Sequence, residues 1–346
     1  MTFTAPVVKN WGGGRSLVTN MDNRFEGYDL IGDIHGCGLS LRMLLVRLGY
    51  SKKGGVYYHP RRQVIFIGDI IDRGPHIREA LHLVRDMVEA GYAQIVMGNH
   101  EYNFLCYCTP SKTPEVSPFL REHNPRHRRI LQETLQQLDP FPDDKNDFLQ
   151  WILEMPLFLE FEKFRVVHAC WHQELIDKFK EDMGGNTIDE AFLHRSAVAD
   201  SFEWVLMDRL LRGTHLKLPN NEVMVSKDGF KRRFFRTKFW AEAPENFIDV
   251  VFQPDPLPEH IARTPLSAQD YQDLVYYAKT EKPLFMGHYW CEGEPRPVAP
   301  NIACLDYSAV KYGKLVAYRY DFEPQLSRDK FVWVDVKAEV MQPSPI

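Results

Sequence analysis

The stretch Gly68-Asp69-Ile70-Ile71-Asp72-Arg73-Gly74 follows the apolar run Val64 to Ile67 and leads into a helical pattern at Ile77, Leu81, Val84 and Val88. Two other segments share this setting. Gly32-Asp33-Ile34-His35-Gly36 follows Tyr28 to Ile31, and Gly98-Asn99-His100-Glu101 follows Ala93 to Met97. Each is a tight, Gly-bounded loop that carries oxygen or nitrogen ligands at the end of a predicted strand. After the first loop, Leu41, Leu44, Leu45 and Leu48 recur at helical spacing up to Gly49. The repeated strand–loop–helix order predicts an α/β (α+β) fold with a parallel sheet and right-handed crossovers. In such sheets ligands gather at the carboxyl ends of the strands, where all three loops sit.

These residue types suit a pair of divalent metals roughly 4 Å apart, which can polarise a phosphoryl group. Such a site needs one carboxylate shared by both ions. Asp69 is the candidate, because it ends the central of the three strands. Asp33 and His35 converge on one ion through their i, i+2 spacing in an extended turn, and Asn99 offers an amide oxygen to the other. Mixed His, Asp and Asn ligation suits Mn, Fe or Zn better than Ca. Further histidines must come from later strands: His168 ends Phe164 to Val167, and His288 follows Leu284 to Gly287. His100 is the candidate general acid. Asp72 is placed to fix its tautomer, and Arg73 to grip phosphate oxygens.

The motifs GDIHG, GDIIDRG and GNHE, followed by single histidines in VVHAC and GHYW, resemble those of the calcineurin-like metallophosphoesterase superfamily. The full DRG and GNHE forms are most similar to phosphoprotein phosphatases and the bacterial diadenosine tetraphosphatases related to them. The match is close over residues 28 to 105 and then survives as islands around 168 and 288. The resemblance implies a β-sandwich flanked by helices, with a dinuclear metal site at one sheet edge. It implies one metal on Asp33, His35 and Asp69 and a second on Asp69, Asn99, His168 and His288. It also implies His100 as the acid, Asp72 as its support and Arg73 as a phosphate ligand. The expected chemistry is in-line attack by a metal-bridged hydroxide without a covalent enzyme intermediate. Ala169-Cys170-Trp171 replace the glycines that usually follow the histidine matching His168, and Trp290 stands where many members carry a second histidine.

A basic run, Lys231, Arg232, Arg233, Arg236 and Lys238, is interleaved with Phe234, Phe235, Phe239 and Trp240. Such a run can bind a second phosphate or a base. Related enzymes have another phosphate-binding arginine before the last histidine, for which Arg233 and Arg236 are the candidates. His123, Arg126, His127, Arg128 and Arg129 read as a surface cluster, and Asp306 as a strand-ending turn residue.

The 346 residues, 44% hydrophobic and 26% charged, suffice for one large domain. Residues 1–27 read as a lead-in containing Gly12-Gly13-Gly14, and 28–346 as one metallophosphoesterase domain with a cap or insertion at about 172–280. Between Thr109 and Asp147 only Ile130 to Leu138 reads as helix. The net charge of −5 argues against a general nucleic-acid coat. No apolar run approaches the roughly 18 residues of a membrane span. The six cysteines lack paired C-x-x-C spacing and read as reduced thiols, so a cytoplasmic location is expected. The sequence thus predicts a metal-dependent phosphatase, acting on phosphoserine or phosphothreonine proteins or on dinucleoside polyphosphates. A nucleic-acid end phosphatase and a non-catalytic metal-binding or partner-binding module are the alternatives.

Overall fold

The structure is a computed structural model that describes residues 25–225, 231–252 and 257–337. The predicted glycine-rich lead-in up to residue 24 lies outside the described residues. Strands β1 (Gly27–Ile31), β4 (Arg62–Phe66) and β5 (Ala93–Ile95) run parallel, with helices α1 (Gly38–Arg47) and α2 (Ile77–Glu89) as the crossovers. A short hairpin, β2 (Ser51–Lys53) and β3 (Val56–Tyr58), interrupts the first crossover. Helix α2 buries Ile77, Ala80, Leu81, Val84 and Met87, one stripe at the 3.6-residue period.

A single parallel sheet is not what forms. β1 pairs on its other side with antiparallel β15 (Lys314–Tyr320), which also carries β14 (Asp306–Tyr307) and β16 (Phe331–Asp335). A second sheet has the order β13 (Ile302–Cys304), β12 (Leu284–Met286), β7 (Arg165–Val167), β6 (Phe158–Glu160), parallel except for the β6–β7 pair. Period-2 alternation explains the stacking. Tyr28, Leu30, Ile65, Tyr318 and Tyr320 of the first sheet meet Val166, Phe285 and Ala303 of the second in one buried cluster. The opposite faces, including Ile31, Phe66, Val167 and Met286, pack in a larger cluster that also takes in the helices. The result is the helix-flanked β-sandwich that the resemblance implies.

Within 109–147 the expected helix at Ile130 to Leu138 forms over Gln132–Leu138, while two helices beside it correct the loop reading. α3 (Asn99–Cys108) grows directly from the GNHE motif, and nine of its ten residues are buried, so it shows no polar face. α4 (Pro125–Ile130), capped by Asn124 Oδ1 on the His127 amide at 2.9 Å, precedes α5 (Gln132–Leu138) and α6 (Pro142–Leu153). Pro125 and Pro142 stand at the first helical positions, where no amide donor is needed.

Beyond β7, helices α7 (Gln173–Met183), α8 (Glu190–Ser196) and α9 (Phe202–Arg212) bury Phe179, Phe192, Leu206 and Leu210 in the larger core. The segment after them has a small core of its own. Leu216 of β8 (His215–Lys217) and Phe235 of β11 (Phe234–Arg236) join Phe247, Val250, Ile261 and Leu266 there. No helix among the described residues is long and apolar enough to cross a membrane.

Candidate metal centre and active site

The motif loops after β1 and β4 interlock through their backbones. Ile34 and His35 both donate amides to Asp69 O, at 3.0 and 2.8 Å, and Gly36 donates to Ile70 O at 2.7 Å. The second sheet delivers His168 after β7 and His288 after β12, tied by Gly287 N to His168 O at 2.8 Å. Five site residues adopt left-handed backbone: His35 (φ 44°), Asp69 (50°), Asp72 (69°), Arg73 (71°) and His288 (61°). Each such conformation costs of order 1–3 kcal/mol outside glycine and persists only where the surroundings enforce it. Two glycines are required by close approach. A Cβ on Gly98 or Gly287 would stand 2.3 or 2.0 Å from a carboxylate oxygen of Asp69 or Asp33.

Asp69 is the centre. Its Oδ2 lies 3.4 Å from His168 Nε2, 3.7 Å from His35 Nε2 and 3.9 Å from His100 Nε2. The far ring nitrogens are anchored: His35 Nδ1 to Ile71 O at 2.9 Å, His168 Nδ1 to Ile67 O at 2.6 Å, His100 Nδ1 to Asp72 Oδ2 at 2.5 Å. A carbonyl oxygen can only accept, so the Nδ1 proton of His35 and of His168 is fixed and Nε2 is turned toward Asp69. Asn99 Oδ1 sits 3.1 Å from His168 Nε2. Asp33 is turned toward the His288 amide, at 3.2 and 3.3 Å. All six predicted metal residues therefore converge.

The electrostatics follow from burial and these partners. Burial opposes ionisation of Asp69, but His168 and His100 outweigh it and hold its pKa well below the usual carboxylate value. Burial, reinforced by Asp306, pushes Asp33 well above it. Burial also opposes charge on His168, yet Asp69 carries its pKa up to about 10. His35 and His288 are held well below the ordinary imidazole value, by burial and then by Arg73 and Arg236 respectively.

Two arginines flank the histidines. Arg73 places Nη1 3.2 Å from His35 Nε2 and Nη2 3.2 Å from His100 Nε2. Arg236 donates Nη1 to His288 O and places Nη2 beside His288 Nε2, both at 2.9 Å. Of the two arginine candidates in the basic run, the structure thus brings Arg236 to the site. Arg233 is exposed.

Three residues were not expected here. Glu101, fully buried, accepts the amides of Gly98, Asp69, Ile70 and Ile71 at 2.7–3.3 Å and so clamps two motif loops together. Its place inside GNHE was the available signal. Thr134 of α5 donates its hydroxyl to Asp72 Oδ1 and accepts the Asp72 amide at 3.0 Å. At 62 residues from Asp72, it carried no local signal. Asp306, read as a turn residue, does accept the Ser308 amide at 2.9 Å, but it is also buried and is the strongest neighbouring charge on Asp33.

The donor set fits divalent metal ions. Ligand atoms of His35, Asp69 and His100 lie within 4.8 Å of one another, as do those of Asp69, His168 and His288. Buried acids and imidazoles with Asp69 common to both groups match the demand for a shared carboxylate. Among the described residues, the side-chain oxygen Oδ2 of buried Asp306 also makes no hydrogen bond.

Comparison with known proteins places this geometry. The chain is 33% identical over 153 residues to the asymmetrical bis(5'-nucleosyl)-tetraphosphatase PrpE of Oceanobacillus iheyensis, covering 43% of this chain and 58% of the relative. It is 49% identical over 160 residues to the same-named protein of Halalkalibacterium halodurans, covering 44% and 60%. The chain thus spans about 60% of the length of these curated relatives. Among solved structures, a serine/threonine phosphatase of Saccharomyces cerevisiae aligns over 91% of this chain and 81% of its own, with a TM-score of 0.49 and 14% identity. A metallophosphoesterase of Sphaerobacter thermophilus aligns over 91% and 90%, with a TM-score of 0.41 and 14% identity. The sequence profile of the calcineurin-like phosphoesterases matches residues 29–216, more than half of the chain, and takes in every motif from Asp33 to His168: the protein belongs to that family.

Proposed function

We propose that the chain is a metal-dependent phosphoester hydrolase that takes two divalent ions. Asp33, His35 and Asp69 would hold one, and Asp69, Asn99, His168 and His288 the other, with Mn, Fe or Zn as the suited metals. The observation that carries this reading is the convergence of three imidazole Nε2 atoms on Asp69 Oδ2 at 3.4–3.9 Å, flanked by two guanidinium groups. Bound divalent ions would supply Lewis acidity to the phosphoryl oxygens and a lowered pKa to water.

The chain's own groups do the rest. Arg73 and Arg236 orient the phosphoryl oxygens and offset the negative charge that builds on them. Asp72 holds the Nδ1 proton of His100 at 2.5 Å and stabilises the imidazolium, so that Nε2 can deliver a proton to the leaving oxygen. Thr134 keeps Asp72 in place, donating to its carboxylate and accepting its amide. Of the expected cap or insertion at about 172–280, the part after α9, which has its own small core, would serve as the cap, with Arg236 reaching from it to His288.

The printed activity of the relatives favours dinucleoside polyphosphates as substrates. The test is hydrolysis of p-nitrophenyl phosphate, a phosphothreonine peptide and diadenosine tetraphosphate with added Mn, alongside the metal content of the protein. Turnover of any of them by the native chain, lost together with bound metal in Asp69→Asn, is the expected result. Full metal binding without turnover of any member would leave the non-catalytic alternative standing.

A further inference from the structure

Trp290 closes the GHYW segment and has no part in the site described so far. It is half-buried, two residues beyond His288. The Arg73 guanidinium lies 5.6 Å from the centre of its ring, and the Lys311 ammonium 3.7 Å from the same centre. One ring therefore couples the arginine that touches His35 and His100 to a second cation at the rim.

Lys311 reaches this position from a constrained turn. Ser308 (φ 54°) and Tyr312 (φ 61°) both adopt left-handed backbone on either side of the 3-10 turn Ala309–Lys311. Ser308 N is held by Asp306 Oδ1 at 2.9 Å, Lys311 N by Ser308 O at 2.9 Å, and Ala309 is buried in the larger core. Two non-glycine residues held in this region within five positions mark a turn whose shape the surroundings impose. The same carboxylate, Asp306, is the strongest neighbouring charge on Asp33 and accepts the amide that opens the turn.

A phosphomonoester brings one phosphate to the site, for which Arg73 and Arg236 are enough. A phosphoanhydride brings a second phosphate on its leaving side. Arg73 touches His100, the proton donor to the leaving oxygen, so it marks that side of the site. Lys311, exposed and on the same ring as Arg73, places a second cation next to it.

We infer that Lys311, positioned by Trp290, binds the phosphate of a phosphorylated leaving group, so that the site favours phosphoanhydrides such as dinucleoside polyphosphates over simple monoesters. The inference rests on the phosphoester hydrolase reading and names the residues that select within it. In the reaction, a bond forms from a water oxygen to the attacked phosphorus. The bridging P–O bond breaks, and its electron pair leaves on the second phosphate. The protons of water end on the product phosphates or in solvent, and nothing is oxidised or reduced. Lys311 contacts the leaving phosphate, and Trp290 is a positioning residue acting through it.

The test compares kcat/KM for diadenosine tetraphosphate and p-nitrophenyl phosphate in the full chain with Mn. The ratio of the two is expected to fall about tenfold in Lys311→Ala, mainly through KM, as loss of one charge-assisted contact requires. Trp290→Leu should reproduce that fall, and Lys311→Arg should largely restore the native ratio. Lys311 is exposed, so its variants test the inference even if Trp290→Leu does not fold. In a His100→Asn background, calorimetric affinity for the tetraphosphate should drop about tenfold on adding Lys311→Ala. An unchanged ratio and affinity in Lys311→Ala would overturn the inference, as would a native protein that cleaves the monoester but no anhydride. A metal-loaded native protein inactive on both substrates would overturn the hydrolase reading itself.

Discussion

The strand β1 carries two buried acids with opposite surroundings. Asp29, within the strand, accepts Arg62 Nε at 3.2 Å, Arg319 Nε at 2.9 Å and the Tyr50 hydroxyl at 3.1 Å. Its charge is matched and its oxygens are occupied. Asp33, just past the strand end, has Asp69 and Asp306 for neighbours, and its pKa is driven well up by burial and by Asp306. The backbone differs in the same way. Among the described residues, Asp29 and its partners Tyr50, Arg62 and Arg319 all keep ordinary φ, whereas five residues at the site around Asp69 are left-handed. One end of the strand is arranged for stability. The other holds charge and strain that a bound cation and an anionic substrate would relieve.

Breaking each end separately should separate the two roles. The largest effect is expected for His100→Asn, which should lower kcat by about 10²–10⁴-fold while unfolding in urea stays close to native. Asp29→Asn should do the reverse. Stability should fall by about 3–5 kcal/mol, because Arg62 and Arg319 lose a buried partner, while kcat per folded molecule is retained. A next test is metal. Mn at a hundred times its dissociation constant should stabilise the native chain by about 2.7 kcal/mol, read as a raised melting temperature that a chelator reverses. That increment should vanish in Asp69→Asn and survive in Asp29→Asn.

Smaller effects sharpen the comparison. Thr134→Val leaves Asp72 Oδ1 and its amide without their partner and should cost about 1–3 kcal/mol of stability together with part of kcat. The smallest response is expected from buried groups with neither role. Burial alone pushes Cys37 up to about 12, and it carries Cys170 to about 12 against a nearby arginine. In the native protein at pH 8 both should resist a thiol reagent, and both should label once the chain is unfolded. Rapid native labelling of either would show that burial does not by itself silence a group here.

Much of this was legible because the first three motifs join a strand to a loop locally, so residues 28 to 105 carry their own context. What escaped did so for physical reasons. Helix α3 is buried on nearly every side and has no polar stripe to display a 3.6-residue period. Pro125 and Pro142 look like breakers, yet each opens a helix. The antiparallel partners β14, β15 and β16 come from the last part of the chain, so the local strand–loop–helix order could not show that the sheet was mixed. Arg236 and Arg233 were equivalent as sequence. Arg233 precedes β11 and is exposed, whereas Arg236, on the face of β11 opposite the buried Phe235, meets His288. Thr134 depended on the packing of α5 against α2 and left no trace in the motifs.

The bond from the His288 amide to Asp33 joins residues 255 positions apart in the chain. Asp33, near the start, and His288, near the end, are brought together only once both sheets have formed and stacked. Contacts of that span come late in folding, because long loops must close before they are rewarded. A nascent or clipped chain lacking the last third would carry the first three motifs yet have no complete cage. Metal uptake would then report that both sheets had formed and stacked, and a free cation would find little to hold before that moment.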